Sequence, residues 1–152
     1  MTSNVTRYLE LLDQRTALLN SLAVALVAAS GNVVSLDIDG LQSRIVDQER
    51  LCVDIRSLDV QIDRVQRQCA VQLSVPPEKS LTSGSTLDDQ RLRETVLRLR
   101  STQARVQQLN DSHQALLRRS RRTVGALLNS IHSFAMTYAE PSVVCASVGE
   151  GS

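Results

Sequence analysis

Tryptophan is absent, and the 152 residues hold only three aromatics: Tyr8, Phe134 and Tyr138. Large aromatics carry much of the burial in an ordinary core, so a compact enzyme without them is unusual. Glycine (6) and proline (3) are scarce. A β-sandwich or barrel needs regular turn residues and β-branched or aromatic strands, and neither is present. Lysine occurs once, at Lys79, so the positive charge is almost all arginine. Cysteine occurs at positions 52, 69 and 145. An odd count without repeated spacing is no disulfide framework. On one helix, Cys52 and Cys69 lie about 25 Å apart, far beyond bridging distance. They read as small core fillers in a reducing compartment.

What is present is Leu, Val and Ile at helical spacing. In the first stretch, Val5, Tyr8, Leu12, Leu19, Leu22 and Leu26 recur every three to four residues, widened by Leu9, Leu11, Leu18 and Ala23. That is a helix with a broad apolar face, expected over about 5–30. Ser30-Gly31-Asn32 predicts its end, since Gly accepts a left-handed cap. Leu18 to Ala29 could suggest an export signal, but Glu10 and Asp13 cancel Arg7 and Arg15, and Asn20 and Ser21 interrupt a run too short to span a bilayer.

The second stretch is expected over about 33–73. Its ladder is Val34, Ile38, Leu41, Ile45, Gln48, Cys52, Ile55, Leu58, Ile62, Val65 and Cys69, with Asp47, Arg50, Asp54, Asp63, Arg64 and Arg67 on the solvated side. Gly40 predicts fraying or a kink in its first turns. Residues 74–86, with Pro76-Pro77 and then Ser, Thr and Gly, are expected to be a mobile linker.

A third helix is expected over about 87–139, opened by Ser85–Asp88 and Thr86–Asp89 capping pairs. Its coiled-coil ladder runs Leu92, Val96, Leu99, Gln103, Val106, Asn110, His113, Leu117, Ser120, Val124, Leu127, Ile131, Phe134, Tyr138. It would reach roughly 75 Å, against roughly 60 Å and 40 Å for the other two, so part of its ladder should stay uncovered. The fold class is all-α: an elongated antiparallel helical bundle or coiled coil of three main helices. Residues 1–141 are expected to form one domain and 142–152 a flexible tail.

Chemistry-bearing constellations are lacking. His113 and His132 are too far apart on one helix to share a metal. There is no phosphate loop, nucleophile elbow or Cys-x-x-Cys. Asp37 and Asp39 beside Gly40 faintly resemble a calcium loop, but helix-start capping explains them better. No acid, base or nucleophile has an orienting partner, so no enzyme, catalytic residue, cofactor or metal is expected. Gln103, Asn110, His113 and Ser120 either fix register and partner number or face water where the bundle opens. The stretch from Ala126 to Tyr138, with Leu127, Leu128, Ile131, Phe134 and Met136, is either core or a groove-binding face. Between Arg91 and Arg122 nine arginines stand against Glu94 and Asp111. Such an excess suits nucleic acid, an anionic membrane or simply a solvated face.

These patterns resemble one family. The Leu-rich opening helix, the break at Ser30-Gly31-Asn32, and Asp47-Gln48-Glu49-Arg50-Leu51 leading to Leu58-Asp59 are similar to the FlgN-like flagellar export chaperones. So is Leu109-Asn110-Asp111-Ser112-His113-Gln114-Ala115-Leu116-Leu117-Arg118-Arg119-Ser120, followed by Leu127-Leu128 and Thr137-Tyr138. The similarity covers about residues 5–73 and 90–138. The family commonly has Asn where this chain has His113.

The resemblance implies a small cytoplasmic chaperone of flagellar type III export. Its clients would be hook–filament junction proteins, held by their C-terminal helical segments and kept export-competent. The family's client-binding region corresponds to Leu116–Tyr138, which gives Leu116, Leu117, Val124, Leu127, Leu128, Ile131, Phe134 and Tyr138 as expected partner-binding residues. Export gate components and a second copy of the chain are further candidate partners. No small-molecule substrate, nucleic acid or membrane span is expected. The competing readings are a structural coiled-coil dimerisation protein and an Arg-rich nucleic-acid-binding helical protein.

Overall fold

The structure is a computed structural model that describes residues 2–73 and 86–138. Its three helices are α1, Thr2–Val34; α2, Ile38–Leu73; and α3, Thr86–Tyr138. No strand occurs among the described residues, and the helices pack on one another as an all-α bundle. The chain divides into two compact units, Met1–Leu116 and Leu117–Ser152, with α3 beginning in the first and ending in the second. The linker expected at 74–86 lies, but for Thr86, outside the described residues, as do Ser85 of the capping pairs and the tail.

In the first unit, α1 and α2 run antiparallel. Gln66 Nε2 donates to Tyr8 Oη at 2.8 Å, and the Arg15 guanidinium meets Asp59 at 2.6 Å. Seven residues forward on α1 thus match seven back on α2. Arg98 lies 3.9 Å from Asp13, and His113 bonds to Ser30, so this part of α3 runs parallel to α1. The main core joins Tyr8, Leu9, Leu11 and Leu12 of α1, Leu58 and Ile62 of α2, and Leu92 of α3. Val5, Leu18, Val65, Val96 and Leu99 pack against it. Leu11 is 1% exposed, and truncating such a side chain to Ala costs about 2–5 kcal/mol. Further along α1, Leu19, Leu26 and Val33 are buried together with the smaller Ala23, Ala25 and Ala29.

That connection differs from the expectation. Gly31 does not end α1; the helix continues to Val34, so α2 does not begin near residue 33. The left-handed residue is Leu36, with φ 57°. Leu36 N–H donates to Val33 O and Asp37 N–H to Asn32 O, the paired bonds of a Schellman cap. Asp37 also opens α2: its Oδ1 accepts from Gly40 N–H at 2.9 Å, while Oδ2 accepts from Asn32 Nδ2 at 2.7 Å. The capping role read for Asp37 therefore holds, and the first turn of α2 is pinned rather than frayed. A Cβ at Gly40 would run into the Asp37 carboxylate and the Asn32 amide, so any other residue there would displace these side chains.

The α2 ladder is buried at Ile55, Leu58 and Ile62, and half-buried at Leu41, Gln48, Cys52 and Val65. Its early members depart from expectation. Val34 is the last residue of α1 and exposed, and Ile38 and Ile45 are exposed. The displaced turn removes Val34 from α2 and leaves Ile38 as its first residue, beside the cap. The solvated side is as expected.

On α3 the seam also shifts. Leu92, Thr95, Thr102 and His113 are buried, whereas Gln103 and Leu117 are exposed. Half-buried Leu99, Val106, Leu109, Leu116 and Ser120 complete a 3–4 ladder through Thr95 and Thr102; Val96 is half-buried beside it, and only Gln103 is displaced to the surface. Thr102 manages this because its hydroxyl donates to Arg98 O at 3.0 Å, leaving its methyl group to pack.

The reading of α1 as too short to span a bilayer needs correction. Because the helix runs through the expected break, Asn4–Val34 contains an 18-residue window of mean hydropathy 1.8, long and apolar enough for a span. In this fold the apolar side of that helix is the main wall of the core.

Candidate functional site

The second unit is built on the end of α3. From Val124 to Met136 every apolar side chain is exposed. Val124, Leu127, Leu128, Ile131 and Phe134 retain 49–66% of their surface, and Leu117 retains 38%. At about 100° per residue they fall within roughly 60° of Ile131, a stripe about a third of the helix circumference wide. The 117–124–127–131–134 spacing is what places them together, and no proline interrupts the helix. Thr123, Ser130 and Thr137 hydroxyls donate to the carbonyls of Arg119, Ala126 and Ser133. Their hydrogen-bonding needs are thereby met within the helix.

The expected partner-binding residues are divided. Leu117, Val124, Leu127, Leu128, Ile131 and Phe134 share this stripe, while Leu116 is half-buried and belongs to the first unit. Tyr138 ends the helix, and its side chain lies outside the described residues. Met136 is exposed but points about 140° away from Ile131.

At the start of the same unit stand Arg118, Arg119, Arg121 and Arg122, all exposed. No acidic residue occurs between Asp111 and Glu140, so none can pair with them at helical i±3 or i±4. The neighbours 118/121, 118/122 and 119/122 are like charges, each costing the helix about 0.2–0.5 kcal/mol. Arg121 borders the apolar stripe on one side and Arg119 flanks it on the other, while Arg118 and Arg122 lie behind.

Three further features belong to the first unit. His113 is 5% exposed, with Nδ1 2.9 Å from Ser30 Oγ. Burial holds its pKa below the ordinary value of 6.5, because the charged ring would lose its hydration. Of the polar ladder, His113 thus lies inside, Asn110 and Ser120 are half-buried, and Gln103 faces water. Gln48 Nε2, buried on α2, has no hydrogen-bond partner. Sequence reasoning missed a shallow groove between α1 and α2, lined by Leu18, Ser21, Val24, Arg44, Arg50 and Asp54. Its apolar floor mixes with both charge signs, and no expected partner-binding residue lines it. Among the described residues no group of His, Cys, Asp and Glu could hold a metal ion.

No curated protein and no solved structure matches the chain. One family model does, described as FlgN protein, and it spans residues 1–141. That match takes in all three helices, including the exposed stripe, and the chain accordingly belongs to the FlgN family of flagellar export chaperones.

Proposed function

We propose that this protein holds hook–filament junction proteins in the cytoplasm before type III export, by binding their C-terminal helical segments. The observation that carries the reading is the exposed stripe from Leu117 to Phe134 in a chaperone family member. A client's amphipathic helix would lay its apolar face on that stripe. Both apolar surfaces would leave water, and the client would be kept from associating with itself. On this reading residues 1–141 work as one chaperone domain.

The test is co-purification of the full chain with the C-terminal segment of each junction protein. Wild type should retain at least one. Leu127→Asp with Ile131→Asp should abolish binding while far-UV circular dichroism stays helical, because both side chains are exposed. Failure of wild type to bind either segment refutes the proposal. Light scattering separates client binding from self-pairing: a monomer that forms a complex only with client supports the chaperone, and a micromolar homodimer that excludes client supports the structural coiled coil.

A further inference from the structure

No acidic residue stands one helical turn from Arg119, Arg121 or Arg122 at the start of the second unit. Four arginines fall within five residues, Arg118 to Arg122, and from Thr123 to Tyr138 no formal charge follows. The apolar stripe is therefore basic at one end and neutral along the rest. Arg119 and Arg121 lie on either side of it, where their side chains can reach the rim of anything docked there. A duplex or single strand of nucleic acid would use the cations but not the adjoining apolar stripe. An acidic, amphipathic helix would use both.

We infer that the occupant of this stripe is an amphipathic helix with acidic residues clustered at one end, and that Arg119 and Arg121 fix its direction by drawing that acidic end to the base of the stripe. The inference rests on the proposed client-binding function and adds to it the charge pattern and orientation of the bound segment. Apolar contact supplies most of the affinity; the charges select partner and register. Binding is then salt-sensitive through these arginines and not through Arg91 or Arg93, which are also exposed but lie in the first unit.

The experiment uses the full chain and synthetic peptides of the C-terminal helical segments of both junction proteins, titrated calorimetrically at 50 and 300 mM salt. Wild type should bind more weakly at the higher salt. Arg119→Glu/Arg121→Glu should weaken binding roughly tenfold at low salt and flatten the salt dependence. A peptide with its acidic residues changed to Lys should recover binding to that variant. Arg91→Glu/Arg93→Glu should leave affinity within about twofold of wild type.

Unchanged affinity in Arg119→Glu/Arg121→Glu overturns the inference. The client-binding reading then still stands if Leu127→Asp/Ile131→Asp destroys binding. Absence of binding by wild type to either peptide overturns both. Vesicles containing about one-third anionic lipid provide the competing arm. If Arg119→Glu/Arg121→Glu loses vesicle binding while retaining peptide affinity, the arginines belong to a lipid surface and the inference fails.

Discussion

Exchanging the roles of Gly31 and Leu36 gives a sharp test of how the first two helices are joined. Gly31 is inside α1, and a Cβ added there meets nothing within 4 Å. Gly31→Ala should therefore stabilise the fold by about 0.5–1 kcal/mol, the helix-interior penalty of glycine. Leu36 holds φ 57° with 78% of its surface exposed. Left-handed backbone costs a side-chain-bearing residue roughly 1–2 kcal/mol, while glycine adds about 0.5–1 kcal/mol of unfolded-chain entropy. Leu36→Gly should consequently stabilise by about 0.5–1 kcal/mol net, with little apolar burial lost. Leu36→Ala keeps the strained backbone and should gain almost nothing.

The assay is equilibrium urea unfolding followed by circular dichroism. Both stabilising variants should raise the midpoint at unchanged m-value. Had the cap been at Gly31, as the Ser30-Gly31-Asn32 run suggests, Gly31→Ala would force a left-handed alanine and destabilise by about 1 kcal/mol. A destabilised Gly31→Ala, or a Leu36→Gly that gains nothing over Leu36→Ala, refutes the assignment of the turn.

Three other outcomes follow from the geometry. Because burial depresses the His113 pKa, the native state holds fewer protons than the unfolded chain in the window below pH 6.5. Stability from the neutral ring is complete above that pH and declines as pH falls through the lower folded value. Urea midpoints measured from pH 7.5 to 5 should fall accordingly, and His113→Asn should reduce that slope; an NMR titration giving His113 a pKa above 6.5 contradicts the cause. Gly40→Ala should cost about 1–2 kcal/mol despite raising helix propensity, since its Cβ displaces the Asp37 cap, and an unchanged midpoint would show that the cap can move aside. Arg15→Ala and Asp59→Asn in a double-mutant cycle should couple by up to about 1 kcal/mol, as the contact is short but Asp59 is half-exposed; additive effects would show that it contributes nothing.

The α1 stripe was legible because leucine at three-to-four spacing has one reading, and Tyr8, Leu12, Leu19 and Leu26 are all buried. The turn was not, because glycine is the expected left-handed residue and here leucine takes that conformation under backbone bonds. Asp37 was the usable signal, as its carboxylate marks the start of α2. On α3, hydropathy selects Val96 over Thr95, and the 4–3 spacing then carries the ladder to Gln103 rather than Thr102. A threonine whose hydroxyl is satisfied one turn back packs like valine, and residue type alone does not reveal that bond. Apolar spacing shows which side of a helix is greasy, but not how far along it a neighbour runs. Ile38 and Ile45 continue the α2 ladder and are exposed, and the stripe from Val124 to Phe134 has the pattern of a core without its burial. The six stripe residues were therefore identifiable from spacing, while their exposure, and the separation of Leu116 from them, required the fold.

Asp37 spends one oxygen on each helix it touches, Asn32 near the end of α1 and Gly40 at the start of α2. The two helix ends consequently cannot fray one at a time: losing this carboxylate loosens both. In hydrogen exchange, the amides of Asp37 and Gly40 should open in the same event and at the same rate, so that α1 and α2 enter and leave the native state as one hairpin.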